Sequence, residues 1–253
     1  MKIAVGGKGG VGKTTISGTL SRLLARNGNT VIALDCDPSP NMGIPLGLTH
    51  DQLLSVKAVF NHLVESGHTH HDPKPDPEDM LNRLGTVRAD GVILLATGEV
   101  VRRDDACMCC GSHASTRSLF GDLVGDGRII VGDLEAGLND LIWAKPGAED
   151  TLLAVCEPSV KSIDIARRAV RIGGVLGLTR IFAIANRVRT PDDERAVAEA
   201  TGVPVFVVPE DPVLAQADML GVAPLDLDPS SPAMQAIAAI AARITEPAAA
   251  PVG

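Results

Sequence analysis

Hydrophobic positions along the chain fall into two patterns. Short aliphatic runs alternate with longer segments in which apolar residues return every three or four positions. The runs predict strands buried on both faces, and the spaced pattern predicts amphipathic helices. Strands are expected at residues 2–5, 30–34, 92–96, 128–131, 152–155, 181–185 and 204–207. Helices are expected at residues 14–27, 51–66, 160–176, 192–200 and 231–244. In the first of these, Ile16, Leu20, Leu23 and Leu24 share a face and Gly28 is a stop signal. Asp90-Gly91 has turn chemistry and predicts a hairpin between residues 86–88 and 92–96. Residues 67–79, rich in His, Pro and Asp, read as a loop. Alternating strands and helices imply an α/β class: a single-domain, doubly wound, mostly parallel sheet flanked by helices. No internal repeat and no Gly/Ser linker divides it. Residues 1–246 are expected to form that domain, and residues 247–253 a disordered Pro/Ala tail.

Composition narrows the partners. The 253 residues include four Phe, one Trp and no Tyr, so modes that stack bases on rings are disfavoured. The net charge of −8 disfavours sequence-blind binding to nucleic acid. No apolar stretch is long enough for a membrane helix, and the N-terminal run is too short for a signal peptide. The expected location is cytoplasmic, with neither nucleic acid nor membrane as partner. The five cysteines, an odd number, do not suggest a disulfide framework in that compartment.

The first strand runs into Gly7-Lys8-Gly9-Gly10-Val11-Gly12-Lys13-Thr14-Thr15, which fits the phosphate-loop pattern G-x-x-x-x-G-K-[ST]. Glycines let backbone N–H groups turn inward, and the helix that follows adds a favourable dipole. Lys13 is placed to contact the β and γ phosphates of a nucleotide, and Thr14 to hold Mg²⁺ through its hydroxyl. Lys8 reads either as a solvated loop lysine or as a cation acting on the γ-phosphate. The second strand ends in Asp35-Cys36-Asp37-Pro38, at the sheet edge where ligands bind in open α/β folds. The strand at 128–131 leads into Asp133-Leu134-Glu135-Ala136-Gly137, in which Asp133 reads as a second acid near Mg²⁺ and Gly137 as an N–H donor to the γ-phosphate.

Lys8 together with Gly9, Gly10, Val11, Gly12, Lys13, Thr14 and Thr15 resembles the deviant Walker A loop of the MinD/ParA/nitrogenase-iron-protein class of ATPases. The resemblance implies a P-loop fold, ATP and Mg²⁺ as cofactors, and a sandwich dimer in which Lys8 reaches the partner's nucleotide. It also implies that Asp37 orients the attacking water, that Asp35 supports Mg²⁺, and that Asn186 with Arg187 reads the adenine edge. Pro209 and Glu210 resemble a second adenine-side loop, although an ordinary αβ turn fits them nearly as well.

Cys107-Met108-Cys109-Cys110 adds thiolates, which are soft ligands for Ni, Zn, Cu(I) or Fe–S. One C-x-C supplies two ligands, and a two-fold dimer completes a set of four. Free buried thiols are the plain alternative. The order of phosphate loop, D-x-D-P, C-x-C, D-x-E-A-G and Glu157-Pro158-Ser159 resembles the CooC-type nickel-insertion ATPases of carbon-monoxide dehydrogenase maturation. That resemblance implies Cys107 and Cys109 as dimer-bridging ligands for Ni²⁺ or Zn²⁺, dimerisation on ATP or metal, and a client apo-metalloenzyme. Two departures stand out. Leu138-Asn139-Asp140-Leu141 has no His where the family carries one, and Cys110 adds a C-x-x-C spacing that suits Fe–S and zinc carriers equally. His68, His70 and His71 could serve nickel or zinc, but a solvated loop explains so short a tract as well. His113 reads more readily as a surface or capping residue than as a ligand.

The leading expectation is therefore an ATP-hydrolysing metallochaperone. An Fe–S carrier or scaffold ATPase is the alternative. A positioning ATPase of the MinD/ParA type is weaker, because the last helix carries only Arg243 as a cation.

Overall fold

The computed structural model describes residues 1–68, 71–98, 119–123, 125–134 and 150–246. Its centre is one eight-stranded sheet. In chain order the strands are β1 (Lys2–Gly7), β2 (Val31–Asp35), β3 (Thr86–Val87), β4 (Ile93–Ala96), β5 (Ile129–Asp133), β6 (Thr151–Cys156), β7 (Arg180–Val188) and β8 (Val205–Pro209). The spatial order is β3-β4-β2-β5-β1-β6-β7-β8, and only the β3–β4 pair is antiparallel. This hairpin turns where the sequence places it: Asp90 and Gly91 both adopt positive φ, at 58° and 80°. The remaining pairs are parallel, which requires crossovers.

The helices are α1 (Lys13–Arg26), α2 (His50–Leu54), α3 (Val59–Glu65), α4 (Pro77–Leu84), α5 (Val160–Val175), α6 (Pro191–Thr201), α7 (Pro212–Leu220), α8 (Pro224–Leu227) and α9 (Pro232–Thr245). Alternate strand residues serve opposite faces. Ile3, Val5, Val31, Ala33, Val131 and Val155 pack with Ile16, Leu20 and Leu24 of α1 and with Ile237, Ile240 and Ile244 of α9. Ala4, Ile32, Leu34 and Ile130 pack on the other face with α3, α4, Leu119 and Phe120. Nearer β8 that face is closed by Ala166 and Ala169 of α5 and Val197 of α6. The small alanines let these helices lie close to the sheet. The doubly wound, mostly parallel sheet expected from the sequence is what forms.

Two expectations need correction. Residues 51–66 are not one helix. Thr49 caps α2 through a reciprocal box with Gln52, the helix stops at Ser55, and Ala58 then bridges Ala96 in extended form before α3 starts. The Phe60 N–H donates to the Thr97 carbonyl at 2.8 Å, so pairing with the end of β4 overrides local helical periodicity. Residues 67–79 are not all loop either, because α4 begins at Pro77. Asp76 accepts the Asp79 N–H at 2.8 Å, and proline at the first helical position has no N–H to lose. Helices α7 and α8, absent from the expectations, start on the same proline signal at Pro212 and Pro224. Residues 247–253 lie outside the described residues.

An ion-pair network centred on one buried guanidinium ties this framework together. The Arg22 guanidinium, 3% exposed, donates to both oxygens of Asp226 (2.6 and 2.8 Å) and to Asp90 (2.7 Å). It fastens α1 to α8 and to the turn before β4. Burial disfavours the charge on Arg22, yet Asp226 and Asp90 outweigh it and hold the guanidinium above its ordinary value.

Candidate functional site

The site lies where β1, β2, β5 and β7 end. The turn from β1 into α1 demands glycine at two places for spatial reasons. A Cβ on Gly7 would collide with the Val155 carbonyl of β6. Gly12 has φ 92°, and a Cβ there would sit 2.5 Å from Asn186 Nδ2. The loop is held from across the sheet, because Asn186 Nδ2 donates to the Val11 carbonyl at 2.7 Å. Lys13 is folded back over the loop and donates to the Lys8 carbonyl at 3.2 Å. Its side chain lines a cleft of about 580 Å³ together with Gly9, Gly10, Gly12, Thr14 and Thr15. Val11 instead turns its side chain into the core. Lys8 points to solvent and does not line the cleft.

Beneath this loop are two carboxylates that ordinary burial rules exclude. Asp35 ends β2 and Asp133 ends β5, directly opposite each other in parallel register, and they are 1% and 2% exposed. Asp35 accepts N–H groups from Met42 (2.8 Å) and Asp37 (3.2 Å). Asp133 accepts from Ser17 Oγ at 3.3 Å and from the Thr14 hydroxyl. Burial and then the proximity of Asp133 push the Asp35 carboxyl up. Burial also raises Asp133, against the opposing pull of Thr14 and Lys13. Two like charges this deep are costly unless a cation arrives. Hard oxygen donors from Thr14, Asp35 and Asp133 fit Mg²⁺ well. Asp37 is half-buried on the cleft wall, and its Oδ1 accepts the Ser39 N–H at 2.9 Å.

The far half of the cleft is built by β7, β8, α7 and α9. A register shift between Asn186 and Val188 leaves Arg187 at φ 59°, an uncommon setting for a non-glycine residue. Its guanidinium pairs with Glu157 at the end of β6. Arg189 makes a bidentate pair with Glu210, both contacts at 2.6 Å. Asn186 is 3% exposed, and with Nδ2 committed to Val11 its Oδ1 is a buried acceptor with no partner among the described residues. Pro209 closes β8 opposite Val188 and is not among the residues lining the cleft, whereas Glu210 is.

Lining residues that went unread in the sequence include Arg189, Leu214 and Asp218, and Asp211 was read only as the end of the loop Val207-Val208-Pro209-Glu210-Asp211. Asp211 had a legible signal, since Asp-Pro is a helix start. Its side chain accepts the Val213 and Ala233 N–H groups, both at 2.9 Å, and so joins the starts of α7 and α9. Burial opposes its charge, but those N–H groups outweigh it and hold the carboxyl below its ordinary range. Cys107, Cys109, Cys110, His70, His113, Gly137 and residues 138–141 lie outside the described residues. His68 and His71 flank a gap in them. Among the described residues, no group of three or more His, Cys, Asp or Glu is arranged to hold a metal ion, and no helix is long and apolar enough to cross a membrane.

Comparison with known proteins agrees with this geometry. The chain is 30% identical to the carbon monoxide dehydrogenase accessory protein CooC of Rhodospirillum rubrum, over 91% of each chain. It is 31% identical to an uncharacterised ATP-binding protein of Methanocaldococcus jannaschii, over 90% of this chain and 92% of that one. Its fold superposes on the septum site-determining protein MinD of Pyrococcus horikoshii, solved with Mg-ADP, at a TM-score of 0.73 and 22% identity, covering 97% and 96% of the two chains. The model of the CobQ/CobB/MinD/ParA nucleotide binding domain matches residues 2–225, from the first strand to the second residue of α8. The chain therefore belongs to the CobQ/CobB/MinD/ParA nucleotide-binding family.

Proposed function

We propose that the protein is an ATP-hydrolysing metallochaperone that dimerises around its nucleotide and delivers nickel to carbon-monoxide dehydrogenase or a related metalloenzyme. The observation that carries the nucleotide half is the buried Asp35–Asp133 pair under the phosphate loop. In this reading the N–H groups of the loop and Lys13 bind the β and γ phosphates. Thr14, Asp35 and Asp133 hold Mg²⁺, which when bound neutralises phosphate charge. Asp37 orients a water for in-line attack. The outward position of Lys8 suits a residue that acts on a partner's nucleotide rather than on its own.

The metal half rests on the C-x-C spacing of Cys107 and Cys109 and on the likeness to the CooC accessory protein across nearly the whole chain. Two thiolates from each protomer would hold one Ni²⁺ or Zn²⁺ as cargo. The Cys107–Cys110 spacing supports a second reading, an Fe–S scaffold. Anaerobic purification with metal analysis and an absorption spectrum separates the two. About one nickel or zinc per two chains is expected for a bridging site, and a brown chromophore would favour the cluster. Sedimentation should show a metal-driven dimer that the double variant Cys107→Ala/Cys109→Ala cannot form. Unchanged dimers in that variant would remove the bridging role.

A further inference from the structure

The base-side half of the cleft poses a problem of chemistry. A purine is normally gripped on its faces, and aromatic side chains are the usual grips. Among the described residues, none that lines this cleft is aromatic, and Trp143 lies outside them. Phe182 and Phe206 pack on each other with ring centroids 5.2 Å apart, and Phe60 and Phe120 are core residues. The remaining planar π group of sufficient area is a guanidinium, which stacks on rings through its face.

We infer that Arg189, clamped by Glu210, is the planar platform on which the nucleotide's base stacks, with the apolar wall of Val208, Leu214 and Ile237 enclosing the ring. This rests on the nucleotide reading above. Three observations support the assignment. The bidentate pair engages one edge of the guanidinium while the side chain stays 68% exposed, so its face remains open to a ligand. Both backbones are pinned, since the Arg189 N–H donates to Asp193 at 2.9 Å and the Glu210 N–H to the Val188 carbonyl at 3.0 Å. The platform is thus set before the ligand arrives. Finally, the pair is neutral, so it has no surplus charge to attract phosphate, and the phosphates already have the loop and Lys13. Arg187 is a poorer candidate, because its guanidinium is turned to Glu157 beside the phosphate-loop strands.

The test compares the full-length chain with Arg189→Ala and Arg189→Lys by calorimetry, using Mg-ADP and, as a ligand without a base, tripolyphosphate. Both variants should bind Mg-ADP about tenfold more weakly, with tripolyphosphate affinity unchanged. Parent-like Mg-ADP binding by Arg189→Lys would overturn the inference, because charge without a planar face would then suffice. A parallel loss of tripolyphosphate binding would overturn it too, since the effect would belong to the phosphates or to the fold. A parent chain that binds neither ligand would instead remove the nucleotide reading itself, and the platform with it.

Discussion

The two halves of the cleft handle charge in opposite ways. On the phosphate side, Asp35 and Asp133 face each other in the interior, where burial raises both carboxyls and Lys13 pulls against that rise at Asp133. On the base side, Arg187–Glu157 and Arg189–Glu210 are paired at the rim, so their charges cancel locally. A buried uncompensated charge is expensive and therefore makes a strong demand for a specific counterion. A solvated pair costs little and contributes little to stability, but it can fix the orientation of a planar group. The first half is thus organised for electrostatics and the second for shape.

The sharpest way to break this contrast is to remove Lys13, the cation on the phosphate side, or Asp37, the carboxylate assigned to the attacking water. Lys13→Ala and Asp37→Ala should each lower ATP turnover about a thousandfold, measured as phosphate release; near-parental rates in both would end the nucleotide assignment. Arg22 offers the intermediate case of a buried but paired charge. Arg22→Ala should cost about 1–3 kcal/mol in urea unfolding, because Asp226 and Asp90 lose their shared partner while Asp90 keeps Arg26. Asp35→Asn should do the reverse in chelator and stabilise the apo chain by about 1–3 kcal/mol, while erasing the stabilisation that Mg-nucleotide gives the parent. A chain made less stable by that change would show that the carboxylate pair is structural.

A smaller effect follows from Asp90. Burial alone would raise its carboxyl, but Arg22 and Arg26 outweigh it and hold it below the ordinary range. Its contribution is then fully present above the ordinary carboxylate range and lost as pH falls through the depressed value. The urea midpoint should therefore hold through mildly acidic pH and drop below about pH 4, and Asp90→Asn should lose part of that acid limb. Smallest of all, Glu210→Ala should leave the urea midpoint unchanged, as a rim pair predicts, and any clear shift would show that the base side is braced like the phosphate side.

Much of the phosphate side was legible because its chemistry is local. Gly12, Lys13 and Thr14 are consecutive, and the loop lies between a strand and a helix that periodicity alone exposes. Asp35 and Asp133 were legible as strand-end acids. Their mutual burial was not, since it depends on β5 inserting beside β2, a pairing between residues nearly a hundred positions apart. The base side is non-local throughout. Arg189 acquires meaning from Glu210 across two strands, and Asp211 from Ala233 across two helices. The break at residues 55–58 was hidden for the same reason, because Ala58 answers to Ala96 rather than to its neighbours.

The strand order also bears on how the chain is made. β1 and β2 follow one another along the chain, yet they are not neighbours, and the slot between them belongs to β5. Until residue 133 has been synthesised, β2, β4 and β3 can pair with one another, leaving β2 with an open parallel edge, while β1 has neither of its sheet partners. Such edges are slow to close and prone to pair with the wrong partner. The strand that carries Asp133 into the site is therefore also the one that joins β1 to β2, so the Asp35–Asp133 pair forms at the step that makes these strands one sheet.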